Sequence, residues 1–177
     1  MDSGWECFIR ARNGDKSAWR ELVNSHRPRL MSLAVLITGS VTDAEDIVQE
    51  TFTRAIITGA RHYKSTLEKY LSTIAFRLSL KEKKRSHRQA SLEEIQLIDA
   101  TRDSLDSVLL TERDRHIAGA IRGLDRKHRD VLVLRFYGNC SYEEIAELLE
   151  ISLGTVKSRI FYAVKTCREI LKEKGIL

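Results

Sequence analysis

Proline is nearly absent: Pro28 is the only one in 177 residues, and glycine occurs nine times. With so few breakers, long stretches can stay helical. Cysteine is scarce too. Cys7, Cys140 and Cys167 are odd in number, far apart and form no C-x-x-C pair. That pattern argues against a zinc ribbon or a disulfide framework and fits a reducing compartment. The histidines (His26, His62, His87, His116, His128) show no ligand spacing, so no metal and no other cofactor is expected. No apolar run nears the roughly 18 residues of a membrane span, and the longest, residues 33–37, suits a core helix. Residues 1–13 carry Asp2, Glu6, Arg10 and Arg12 and no apolar core, so they do not read as a signal peptide. The expectation is a cytoplasmic protein. Nor is there a nucleophile–base pair or a phosphate-binding glycine loop, so an enzyme is not expected.

What is present is enough apolar material for packed cores, 42% of residues, and a mild net charge of +5. The distribution of charge says more than its sum. Residues 61–89 hold nine bases against two acids, a local charge of +7. Residues 41–53 hold Asp43, Glu45, Asp46 and Glu50 and no base. A basic stretch of this density suits a polyanion, although a helix end complementing its own dipole has the same composition. An acidic face suits a basic protein surface, although a merely solvated face looks the same.

Apolar periodicity reads helical almost throughout. A short first helix carries Trp5, Phe8 and Ile9, and Asp15 can cap the second, where Trp19, Leu22, Val23, His26, Leu30, Leu33 and Ile37 recur at threes and fours. Trp5, Phe8 and Trp19 are expected in the core. Gly39-Ser40 ends that helix, and Thr42-Asp43-Ala44-Glu45 reads as a capping box opening a third, with Thr42 accepting from the backbone N–H of Glu45. Its inner face is Ile47, Val48, Phe52 and Ala55, and Gly59 closes it. A fourth helix carries Leu67, Tyr70, Leu71, Ile74, Ala75 and Leu78 and runs into Lys81-Glu82-Lys83-Lys84-Arg85. Residues 90–107 lose periodicity and turn acidic, the pattern of a linker. Beyond them Ile117, Ala120, Ile121 and Leu124, then Val131, Leu132, Leu134 and Arg135, form two more helices, the second ended by Gly138-Asn139.

Residues 141–170 hold the most specific pattern. Ser141-Tyr142-Glu143-Glu144 is a capping box opening a short helix with Ile145, Ala146 and Leu148 or Leu149 inward. Ser152 can cap the next, with Val156, Ile160 and Val164 as its inner face. Ser152, Thr155, Lys157, Ser158, Arg159 and Tyr162 are then left to face outward. A short helix, a tight turn and a second helix with basic and hydroxyl residues in its first turns is a helix-turn-helix with a DNA-reading helix. Lys157 and Arg159 can donate to guanine acceptors or phosphates, and Ser152 and Thr155 suit phosphate oxygens. An ordinary helical hairpin with a solvated outer face shares this spacing.

Two segments resemble a known family. Asp43-Ala44-Glu45-Asp46-Ile47-Val48-Gln49-Glu50-Thr51-Phe52 is similar to the core-polymerase-binding helix of the extracytoplasmic-function (ECF) sigma factors, in the sigma-70 family. Ser141-Tyr142-Glu143-Glu144-Ile145-Ala146-Glu147 and Ile151-Ser152-Leu153-Gly154-Thr155-Val156-Lys157-Ser158-Arg159-Ile160 resemble its −35-reading helix-turn-helix, and His26-Arg27-Pro28-Arg29-Leu30 also fits. The resemblance implies an all-α chain of two small helical domains. A sigma2-like four-helix domain at 1–89 would bind core polymerase, then melt and read the −10 element. A flexible acidic linker at 90–107 would thread toward the template strand and RNA exit path, and a sigma4-like domain at 108–177 would read the −35 element. It further implies polymerase contacts from Asp43, Asp46, Gln49 and Glu50, and −10 contacts from Tyr63, Tyr70, Arg77, Lys81, Lys84 and Arg85. The implied partners are the beta-prime clamp and beta flap of RNA polymerase, promoter DNA and an anti-sigma factor, with no membrane insertion and no homo-oligomer. The sequence also departs from the pattern. Phe76-Arg77 stands where family members often read Arg-Asn, Lys81 where they read Asp, and Tyr162 and Val164 where they place further arginines. Fewer phosphate contacts imply weaker −35 binding and a shallower salt dependence.

The expected function is that of an alternative sigma factor. The alternative is a DNA-binding transcriptional regulator that uses its helix-turn-helix without polymerase.

Overall fold

The computed structural model describes residues 3–59, 65–90 and 112–177. The linker at 90–107, apart from the backbone of its first residue, and the loop at 60–64 with Tyr63 lie outside the described residues. Eight helices are described: α1 Ser3–Arg12, α2 Lys16–Thr38, α3 Val41–Thr58, α4 Leu67–Ala90, α5 Glu112–Arg122, α6 Arg126–Phe136, α7 Tyr142–Leu149 and α8 Leu153–Glu173.

The first lobe is built round α2, which packs against α1, α3 and α4. Its apolar side is long because the sequence keeps it so: Leu30, Met31, Leu33, Ala34, Val35, Leu36 and Ile37 are all buried. Pro28 sits inside α2 without ending it. Asp15 caps α2 as expected, accepting from the backbone N–H groups of Ser17 and Ala18. The Ser17 hydroxyl, these amides and the Arg10 guanidinium together hold the Asp15 carboxyl well below the usual range. Gly39 closes α2 at φ 83°, a left-handed value that glycine adopts without strain.

Three expectations are corrected. The helix after Gly39 starts at Val41, capped by Ser40, whose Oγ accepts from Asp43 N at 3.2 Å. Thr42 therefore lies inside the first turn and is not the cap. The turn that ends α2 leaves Ser40 extended and free to cap, so the helix begins two residues early. Trp19 is 37% exposed and rests edge-on against Phe52 at 5.8 Å, at the rim of the core. Val164 is 46% exposed, and the small Ala163 takes the inner position on α8.

In the second lobe α8 packs against α6, α7 and α5. Val131, Val133, Leu134, Ile145, Val156 and Ala163 are fully buried. Arg129 ties the helices together, its Nη2 donating to the carbonyls of Arg122 and Leu124 at 2.8 and 2.7 Å.

Candidate nucleic-acid interface

The helix-turn-helix is set by its caps. Ser141 Oγ accepts from Glu144 N at 3.2 Å and Glu144 Oε2 accepts from Ser141 N at 2.6 Å, so the expected capping box is complete. Burial works against the Glu144 charge. The Ser141 bond and the nearby Lys69 ammonium outweigh it and hold the carboxyl below its ordinary range. Ile145 drives α7 into the core with no exposed surface. Glu150 then turns the chain at φ 55°, and its N–H closes on the carbonyls of Ala146 and Glu147. Such a φ in a non-glycine residue is uncommon and marks a tightly specified turn.

Ser152 caps α8, its Oγ accepting from Thr155 N at 3.1 Å and sharing a bond with Thr155 Oγ1 at 2.8 Å. The Ser158 hydroxyl donates to Thr155 O at 3.0 Å. Val156 and Ile160 anchor the helix inward. Lys157, Ser158 and Tyr162 are thereby exposed, while Thr155 and Arg159 are half-buried. The six residues expected to read DNA thus share the N-terminal half of one helix and its cap. Phe161 and Tyr162 pair edge-to-face at 5.4 Å, both largely exposed.

On α4, Arg77, Lys81, Lys84 and Arg85 are exposed and spaced along one face of a continuous helix, and Arg85 pairs with Glu82 at 3.1 Å. Lys83 faces the other way. Its ammonium donates to Ile37 O at 2.8 Å at the C-terminal end of α2, where a cation suits the helix dipole. Burial first, and then the Arg129 guanidinium, lower the Lys83 pKa. Phe76, the departure from the family pattern, is a core residue only 1% exposed. Tyr70 is half-buried: its ring tilts against Trp5 at 5.5 Å and its hydroxyl is 3.1 Å from Thr58 Oγ1. Trp5 itself donates to Ser65 O at 2.8 Å.

On α3, Asp46 and Gln49 are exposed, and Asp43 and Glu50 half-buried, with Glu50 held by Arg54 at 2.6 Å. Asp43, Asp46 and Glu50 line a groove with Leu78, Lys81, Glu82 and Arg85 of α4. Acidic and basic residues 31 to 42 positions apart in sequence therefore form opposite walls of one groove. Sequence spacing alone did not bring them together.

Sequence reasoning missed a further set of residues. Arg29 of α2 pairs with Glu68 of α4 at 2.6 Å and donates to the carbonyls of Tyr137 and Phe136 at 2.7 and 3.0 Å. Glu68 also accepts from Asn139 at 3.1 Å, and Lys69 pairs with Glu144 at 3.1 Å. These contacts join the lobes. Their only sequence signal was Arg29, inside a motif read for its family likeness.

Among the described residues no group of His, Cys, Asp and Glu is placed to hold a metal ion, and no helix is long and apolar enough to cross a membrane.

Comparison with known proteins agrees with this architecture. The family model for Sigma-70 region 2 matches residues 22–89 and that for Sigma-70, region 4 matches residues 120–169. The chain is 32% identical over 180 residues to the ECF RNA polymerase sigma factor SigL of Mycobacterium tuberculosis, covering 94% of this chain and 96% of that one. It is 32% identical over 165 residues to the ECF RNA polymerase sigma factor SigE of Mycolicibacterium smegmatis, covering 89% of this chain but 64% of the longer relative. The solved structure of CnrH in complex with the cytosolic domain of CnrY superposes with a TM-score of 0.64 at 25% identity, covering 97% of this chain and 99% of that one. With its two regions in family order and its helix-turn-helix intact, the chain belongs to the ECF RNA polymerase sigma factors of the sigma-70 family and is an alternative sigma factor directing transcription.

Proposed function

We propose that the two lobes divide promoter recognition between them, with boundaries at residues 89 and 107. In the first lobe Asp43, Asp46, Gln49 and Glu50 meet a basic surface on the beta-prime clamp of core polymerase. Arg77, Lys81, Lys84 and Arg85 on α4 follow the phosphates of the −10 element while Tyr63 and Tyr70 attend an unstacked base. In the second lobe Ser152, Thr155, Lys157, Ser158, Arg159 and Tyr162 read the −35 element, and the beta flap supports that lobe. The chain works in the cytoplasm and performs no chemistry itself. An anti-sigma protein regulates it, a reading supported by the likeness to CnrH, which was solved with the cytosolic domain of CnrY.

One observation carries this reading: an acidic face, a basic face and a doubly capped helix-turn-helix are held in one chain by helices that orient all three. A conventional repressor needs only the last. Run-off transcription with bacterial core polymerase, coupled to footprinting, tests it. Promoter-specific transcripts with protection at two separated elements are expected, and Asp46→Ala should lower core binding. A protein that ignores core polymerase and still binds a specific duplex is a regulator of the conventional kind.

A further inference from the structure

Helix α1 carries none of the residues assigned to DNA or polymerase, yet it meets the first lobe at one particular place. Trp5 fills the core at 2% exposure, edge-on to Phe8 at 5.5 Å. Its indole N–H donates to Ser65 O at 2.8 Å, and its ring tilts against Tyr70 at 5.5 Å. Two turns on, Arg12 lays its guanidinium against Gly59: a β-carbon at residue 59 would sit 2.6 Å from the Arg12 Cζ. Gly59 is buried, while Arg12 itself is exposed. Glycine is needed there twice, for that close approach and for its φ of 56°.

Trp5 and Arg12 are seven residues apart, so they share one face of α1, about 10 Å apart along its axis. Their targets flank a single segment. Gly59 closes α3, its N–H donating to Ala55 O at 3.2 Å, and Ser65 precedes α4. One helix thus holds both ends of residues 60–64, which include Tyr63. A third tie joins the same place: the Tyr70 and Thr58 hydroxyls lie 3.1 Å apart, linking α4 to the last turn of α3. Without α1, the separation of Gly59 and Ser65 would rest on this hydroxyl pair and on the packing of α3 against α4.

We infer that α1 is a brace for −10 reading, with Trp5 and Arg12 as positioning residues that fix Ser65 and Gly59, the ends of the segment carrying Tyr63, beside Tyr70. This inference rests on the proposal that Tyr63 and Tyr70 attend an unstacked base. Groups whose supports are fixed before DNA arrives lose less freedom on binding. The brace therefore strengthens capture of the −10 strand and sharpens its choice of base without touching DNA. A helix that only supports the fold would change stability and leave base choice alone. A guanidinium on a phosphate would change the salt dependence of binding instead.

Holoenzyme assembled from bacterial core polymerase and the full chain tests it. The probes are single-stranded oligonucleotides carrying the −10 sequence that wild type selects from a randomised pool, with each base in turn at the most selective position. Trp5→Phe keeps an aromatic ring and removes the N–H. It and Arg12→Ala are each expected to bind the selected strand about fivefold more weakly and to lose most of the preference among the four bases. Core capture, −35 duplex binding and the salt slope should stay at wild-type values. Arg12→Lys should fail to rescue, because an ammonium lacks the planar surface that lies on Gly59. Unchanged base preference in both variants overturns the brace. So does a salt slope that is lowered in Arg12→Ala and restored in Arg12→Lys, which makes Arg12 a phosphate contact. If Trp5→Phe loses helix by circular dichroism, the variants of the exposed Arg12 decide. Hydrogen exchange on the free chain separates the two claims. The amides of Gly59 and Tyr70, bonded to Ala55 O and Thr66 O, should exchange about tenfold faster in Arg12→Ala and Trp5→Phe, with α8 unchanged. Unchanged exchange overturns the brace. Faster exchange in a factor whose wild type selects no −10 sequence leaves the brace standing and removes the −10 reading.

Discussion

The two lobes solve the same problem, presenting charge on helices, in different ways. The first spreads its charged faces over two helices and supports them with large aromatics: Trp5, Phe8, Phe52 and Phe76 are all buried. The second concentrates the residues proposed to read DNA in the first half of α8 and supports them with aliphatic and small side chains and two caps, Ser141 and Ser152, at the starts of successive helices. A broad surface that tracks a backbone tolerates small displacements. A helix that is to meet base edges does not, and hydrogen bonds at its start fix the position of α8.

The largest expected effect comes from removing a support of the first lobe. Phe76→Ala should cost about 3–5 kcal/mol, measured by urea unfolding of the full chain. Ile145→Ala, which removes the anchor of α7, should cost about 2–5 kcal/mol in the same experiment. If the lobes are energetically separate, hydrogen exchange will show each substitution loosening its own lobe alone, and equal loosening of both would contradict the contrast drawn here. Lys157→Ala and Arg159→Ala should each weaken −35 recognition by about 1–3 kcal/mol where the contact is bidentate to a base. A phosphate contact would instead lower the salt slope of binding by about 0.9 per residue, without changing sequence preference. Ser141→Ala should lower stability by about 0.5–2 kcal/mol, since it removes one half of the capping box.

The caps also predict a pH response in both lobes. Asp15 in the first and Asp125 and Glu144 in the second have folded pKa values below their ordinary ones, Asp125 chiefly through the His128 backbone N–H. The unfolded chain therefore binds protons first as pH falls. The stabilisation these groups provide is full above the ordinary carboxylate range and is lost as pH drops through their lower folded values. A thermal-unfolding series from neutral to acid pH should fall across that window. Asp15→Asn and Asp125→Asn should flatten it, the smallest effects expected here.

The amphipathic runs and the capping boxes of this chain are local, and local features were legible. Asp15, Ser141 and Ser152 cap where their sequence context says they should. Thr42 failed because a second capping residue, Ser40, lay two positions upstream, and the geometry of the preceding turn decided between them. Trp19 and Val164 failed because periodicity gives a face but not the width of the core beneath it. A wide stripe leaves its margins at the surface, as on α2 and α8. The charged stretches at 41–53 and 61–89 were legible as charge, but not as two walls of a shared groove. Of the Arg29 and Lys69 contacts, the sequence marked only Arg29, within a motif, and none of the partners: Arg29 and Tyr137 are 108 residues apart, and no periodicity links them.

Helix α4 keeps its duties apart along its length. Glu68 and Lys69 at its start grip the α6–α7 turn, Lys83 turns back to α2, and Arg77, Lys81, Lys84 and Arg85 look outward. In evolutionary terms, the contacts that join the lobes and the outward-facing bases are encoded in separate positions of one helix. Relatives of this chain could drift at the start of α4 and change how firmly the lobes are joined while leaving its outer face untouched, or drift along that face without loosening the joint.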